Sequence, residues 1–187
     1  MRFRWGLLPT GVVAACGIAA AVSAAAGPTA VITTKGGETF TPNPASPPNL
    51  LSINNLQWAP GTITVHSGQA LRLVYADKSG DPHVFAIALK KDLPRTTAQM
   101  INVQTNPVVR KIAPKLLKNP ANPQAGFKAY RSNSGPNGLS QEGDSLVILP
   151  GGPHKTASWV VSAAAGTTLY YFCPIHPWMQ GVIKVVK

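Results

Sequence analysis

The chain has 187 residues, with 17 Lys and Arg against 6 Asp and Glu, a formal net charge of +11 and 2 cysteines. That length suits one domain of ordinary size plus a targeting segment. Excess positive charge points to nucleic acid, an anionic membrane or an acidic protein as partner. So few carboxylates suit an acidic environment, because acid unfolds proteins largely by protonating paired carboxylates.

The N-terminus opens with the basic stretch Met1-Arg2-Phe3-Arg4 and continues as an almost uncharged run from Trp5 to Ala26, with Ala24, Ala25 and Ala26 at its end. A basic start, an apolar middle and an Ala-x-Ala end describe a secretory signal peptide, here spanning 1–26. Two other fates remain open. Val13-Ala14-Ala15-Cys16 resembles a lipoprotein box with Cys16 as the lipidated residue, and the run is about the ~20 residues of a spanning anchor. All three place the folded part outside the cytoplasm, periplasmic in a bacterium, and argue against nucleic acid. They also leave Cys173 as the sole exported thiol, so no internal disulfide is expected.

Residues 27–49 carry Pro42, Pro44, Pro47 and Pro48 and read as a Pro-rich linker or edge segment. The domain is expected over 50–187. Thr62–Val65 is rich in β-branched residues, and Leu71, Leu73 and Tyr75 alternate with Arg72 and Val74 as in a half-buried strand. Residues 77–82 form a turn cluster. Val84–Leu89 is apolar on both faces, as a buried strand would be. Residues 90–143 hold six prolines and little alternation. They read as a long insertion with a short helix near 96–104 and breaks at Pro107 and Pro114. Nine basic residues lie between Lys90 and Arg131 against one acid, Asp92, which makes a solvated face or a steering surface. Strands return at 146–149, 159–161, 169–173 and 182–186. Short strands and turn signals with no long helix predict an all-β, antiparallel β-sandwich.

Cys173, His176 and Met179 stand at C-x2-H-x2-M on one tight loop between two strands. Thiolate, imidazole and thioether are soft or borderline donors. Two His, one Cys and a weak axial Met make the type 1 copper set, whereas zinc seldom uses Met. The residues alone leave His66, His83 and His154 open as the second imidazole. The segment YYFCPIHPWMQGVIKVVK resembles the C-terminal copper loop of cupredoxins, with the short spacing of the amicyanin type. PGTITVHSGQALRLVY followed by DPHVFAIA resembles their first-ligand region. The resemblance covers about 56–89 and 151–187. The chain's size, acid-tolerant composition and Val84, where many cupredoxins have Asn, also resemble rusticyanin-type carriers of acidophilic iron-oxidising chains.

What the resemblance implies is a Greek-key β-sandwich holding one copper ion, Cu(I)/Cu(II), with His83, Cys173, His176 and Met179 as ligands. It implies a monomeric single-electron carrier of a respiratory chain rather than an enzyme. The expected partner is a redox protein such as a cytochrome c or a terminal oxidase, and the N-terminus offers a membrane association. The alternative is a copper chaperone or oxidase accessory protein. Such proteins usually present exposed Met or His clusters, and this chain has 3 Met and 4 His, all scattered.

Overall fold

The computed structural model describes residues 27–42, 50–134 and 138–187. The targeting segment 1–26, with Cys16, and the Pro cluster at 43–49 lie outside the described residues. In chain order the strands before the first helix are β1 (Ala30–Lys35), β2 (Glu38–Pro42), β3 (Leu50–Asn54), β4 (Gln57–Ala59), β5 (Thr62–His66), β6 (Ala70–Val74) and β7 (His83–Ala88). Helices α1 (Thr97–Ile101) and α2 (Pro107–Leu116) follow, then β8 (Arg131–Ser132), β9 (Ser145–Ile148), β10 (Thr156–Val160), β11 (Thr168–Phe172) and β12 (Gln180–Val186).

Two sheets carry the fold, one in the order β10-β6-β1-β4 and the other β5-β12-β11-β7-β9-β8, with β2 and β3 paired apart from them. Strand alternation sends Ile32, Trp58, Leu71, Leu73 and Trp159 from the first sheet into one core with Phe85, Ile87, Leu146, Tyr171 and Ile183 from the second. This is the expected β-sandwich, with two differences. β1 pairs parallel to β6 and β5 parallel to β12, so both sheets are mixed rather than purely antiparallel. Each parallel pair joins strands distant in sequence, whose long connection permits the crossover that parallel pairing needs. The linker reading of 27–49 also needs correction at its start. Ala30–Lys35 is an inner strand between β6 and β4, and its run Ala-Val-Ile-Thr-Thr-Lys is a β-forming sequence that the neighbouring prolines overshadow.

Strand β7 is buried along its whole length. Its Phe85 and Ile87 face the inter-sheet core, whereas Val84, Ala86 and Ala88 face outward, against α2. Helix α2 starts where Asn106 accepts the Val108 N–H on its side chain and Pro107 takes the first helical position. Pro107 therefore begins the helix rather than breaking it. Pro114 lies in the last turn, two residues before the end, and deprives α2 of the one hydrogen bond that an N–H there would give to the Arg110 carbonyl. Val108, Ile112 and Leu116, spaced by four, bury one stripe against Val84, Ala86 and Val147. At roughly 1.5–3 kcal/mol per buried aliphatic side chain, that stripe contributes roughly 5–9 kcal/mol before chain ordering is subtracted. The Pro-rich segment thus covers the outer face of the strand that bears His83.

Candidate metal centre

The site lies where β7 begins and β11 ends. These strands are antiparallel neighbours, with Phe172 opposite Ala86. One residue further, Cys173 comes level with the start of β7, and its Sγ accepts the Val84 N–H at 3.4 Å. From Cys173 the chain turns through a loop closed by its own backbone: Cys173 N–H donates to the Met179 carbonyl at 3.0 Å and Met179 N–H to the His176 carbonyl at 2.8 Å. Pro174 and Pro177 fix two φ angles inside it. The Gln180 amide donates to the Pro177 carbonyl at 2.8 Å and to the Pro94 carbonyl at 2.6 Å, fastening the loop to the segment before α1. Directly after it stands Gly181, opposite Tyr171. A Cβ there would collide with the Tyr171 ring and the Gly61 carbonyl, so this close approach requires glycine.

The loop brings three donors together. Cys173 Sγ is 4.0 Å from His83 Nδ1 and 3.9 Å from His176 Nδ1, and the two Nδ1 atoms are 3.2 Å apart. Among the described residues this is the one group of three Cys, His or carboxylate side chains gathered within metal-binding reach. His83 and Cys173 are fully buried and His176 is 5% exposed. Met179 is 1% exposed, in the same apolar cluster as Cys173. The other two histidines lie elsewhere. His66 Nδ1 meets the Lys187 carbonyl at the chain end, and His154 stacks on Tyr130 at 3.5 Å.

Sequence reasoning missed Asp77. It had the residue only as part of a turn cluster, and the available signal was a scarce acid six positions before His83. The turn is hung on β1: Thr34 Oγ1 accepts the N–H groups of Ala76 at 3.0 Å and Asp77 at 3.3 Å. Asp77 Oδ1 accepts Ser79 N–H and Oγ–H at 2.9 and 2.6 Å. Its Oδ2 stands 2.8 Å from His83 Nε2, with both side chains fully buried. Asp81 Oδ2 is 3.5 Å from His176 Nε2. Burial pushes the Asp77 carboxyl up, yet the hydrogen bonds from Ser79 and Thr34 and the charge of His83 outweigh it and hold the group down at about 2. Burial lowers His83, with Asp77 opposing and the neighbouring His176 adding to the fall.

No protein-family model matches the chain, and no curated relative does. Its structure is similar to solved cupredoxins. The purple cupredoxin of Nitrosopumilus maritimus is 12% identical over 83% of this chain and 98% of that one, with a TM-score of 0.37. The auracyanin of Roseiflexus castenholzii is 16% identical over 86% and 98%, with a TM-score of 0.41. Amicyanin from Paracoccus versutus is 13% identical over 84% and 80%, with a TM-score of 0.32.

The donor cluster fits a copper ion on its own chemistry. Asp77, an ionised acceptor, requires His83 to donate from Nε2, which leaves a lone pair on Nδ1. That lone pair faces His176 Nδ1 and the Cys173 sulfur. Such a concentration of lone pairs is favourable only with a proton or a cation among them. Burial pushes the Cys173 thiol up to about 11, against the Val84 N–H that would favour a thiolate. A cation bound there therefore displaces a proton. Two imidazoles and a thiolate with a buried thioether nearby match copper rather than a hard cation.

Proposed function

We propose that this chain is an exported type 1 copper protein that carries single electrons between redox proteins. His83, Cys173 and His176 would hold the ion, and the buried thioether of Met179 would be a weak further donor. The observation that carries the reading is the meeting of His83 Nδ1, His176 Nδ1 and Cys173 Sγ within 4.8 Å of one another in a buried pocket. A copper ion held by these residues would supply a one-electron Cu(II)/Cu(I) couple.

The chain's own contribution is rigidity and exclusion of water. α2 packs the outer face of β7, the strand that bears His83, and Trp58, Tyr75 and Asp77 hold the His83 ring on the inner face. Pro174, Pro177 and the loop's backbone bonds hold Cys173, His176 and Met179. The Val84 N–H supports negative charge on sulfur. Ile175, 40% exposed, and Trp178, 42% exposed, flank His176, so the shortest route to the ion opens on an apolar rim. That rim suits a small, transient contact with a cytochrome c or a terminal oxidase. The basic start, apolar run and Ala24–Ala26 support a periplasmic or other extracytoplasmic location, with or without retention at the membrane. Among the described residues no helix is long and apolar enough to cross a membrane.

The test is the visible spectrum of the copper-loaded protein. An intense thiolate-to-copper band is expected, and a colourless complex overturns the reading. Alanine at His83 is expected to abolish that band, whereas alanine at His66 or His154 leaves it intact. Loss of the band in His66→Ala would move the first imidazole elsewhere. Met179→Leu is expected to keep copper and colour but to raise the reduction potential, because the weak thioether favours Cu(II) more than Cu(I). The expected rise is on the order of 59 mV, a tenfold change in relative affinity for a one-electron couple. An unchanged potential in voltammetry would assign the axial position to another group.

A further inference from the structure

We infer that Asp77 and Asp81 are positioning residues of this centre: their carboxylates stand behind the two imidazoles, turn Nδ1 of each inward and bias the site toward the higher oxidation state. The inference deepens the copper reading above and rests on it. Its motive is a coincidence of scarce groups. The chain has 6 acidic residues against 17 basic ones, yet a carboxylate oxygen lies at the outward nitrogen of each of the two clustered imidazoles, at 2.8 Å on His83 and 3.5 Å on His176.

The two differ in what they can do. Asp77 is fully buried and is itself held by Ser79 and by the Thr34 anchor beneath the turn. Its place is therefore set independently of His83. A carboxylate accepting the outer N–H of a ligating imidazole fixes the ring's tautomer and raises its basicity, and such partners typically carry a 10–100-fold effect on metal affinity. Asp81 has its side chain 48% exposed, so water and salt screen it, and its effect is the smaller. Both negative charges interact more strongly with the ion carrying the extra positive charge. Removing either charge thus weakens the oxidised form more than the reduced form, and the potential rises.

Asp77→Asn keeps the shape of the side chain and an acceptor oxygen while deleting the charge. The copper-loaded variant is expected to lose about 10–100-fold in Cu(II) relative to Cu(I) affinity, read as a rise of about 59 to 118 mV. Asp81→Asn is expected to lose about two- to fivefold. Asp77→Leu deletes the acceptor, and nitrogen-15 spectra of its metal-free form are expected to show His83 leaving the pure Nε2–H tautomer of the parent. Near-UV circular dichroism reports whether each variant is folded. A folded Asp77→Asn with the parent's potential, or a metal-free parent whose His83 is not Nε2-protonated, overturns the assignment of Asp77. If Asp77→Asn does not fold, Asp81→Asn still tests the charge effect, and its unchanged potential overturns it. A parent that binds copper without a thiolate band sinks the copper reading instead, and the metal-free tautomer still decides whether Asp77 positions His83.

Discussion

Cys173→Ala is expected to remove the thiolate-to-copper band completely and to leave a folded, colourless protein. Sγ is the sole sulfur anion the buried group can supply. It lies 4.0 and 3.9 Å from the two imidazole nitrogens, and no second thiol is present in the described residues to replace it. The deletion itself is mild for the fold. Cys173 is fully buried in the inter-sheet core, and losing one atom of that size costs about 1 kcal/mol, small against the several kcal/mol of a typical domain. Circular dichroism of the variant is therefore expected to match the parent. Cys173→Ser separates geometry from chemistry: it keeps a small polar atom at the same place but offers a hard oxygen. Persistence of an intense visible band in either variant would show that another sulfur or another site produces the colour.

The donors and the strands were legible in the sequence for different reasons. Cys173, His176 and Met179 fall within seven consecutive residues between two β patterns, so their meeting needs no knowledge of the fold. His83 was reached through resemblance, because what brings it to the loop is the lateral pairing of β7 with β11, and periodicity says nothing about which strands are neighbours. The same blindness hid the parallel pairs of β1 with β6 and β5 with β12. Asp77 was hidden by its surroundings. Asp-x-Ser-Gly reads as turn chemistry, and Asp77 does make those turn bonds, to Ser79. Its second oxygen is what reaches His83. Val84 was read for the side chain it lacks, whereas its side chain packs outward against α2 and its backbone N–H is the part that touches sulfur. The prolines of 90–143 argued against a long helix. They permitted α2 because one stands at its first position and the other in its last turn.

Electron exchange with a partner is expected to split into a salt-independent and a salt-dependent part, carried by different surfaces. The first belongs to the rim of the loop. Trp178 packs edge-on to His176, with ring centroids 5.5 Å apart, and is exposed like Ile175 beside it. A charged residue there, as in Trp178→Glu, places an unpaired charge in the contact the partner must dry. Exchange is expected to slow by about tenfold or more at every ionic strength, the scale of losing an aromatic anchor. The second part belongs to α2 and the segment after it. Lys111, Lys115 and Lys118 are exposed, and the first two rest on the carbonyls of Glu142 and Asn133 rather than on carboxylates. Their positive charge remains available to an acidic partner. Helix α2 turns one flank to an apolar groove that Pro174 and Ile175 also line, whereas Lys111 and Lys115 lie on its other flank, toward Glu142 and Asn133. These charges therefore act on an approaching partner from a distance rather than in the contact itself. Charge of this kind changes the association rate more than the affinity and is screened beyond about 10 Å at roughly 0.1 M salt. Replacing the three lysines with glutamine is therefore expected to slow exchange by about tenfold at low salt and to leave it unchanged near 1 M, where screening acts over about 3 Å. Stopped-flow exchange across a salt series checks both parts. A parent rate that does not fall with salt would remove steering from α2 and leave its lysines a solvated face over the strip that buries Val84.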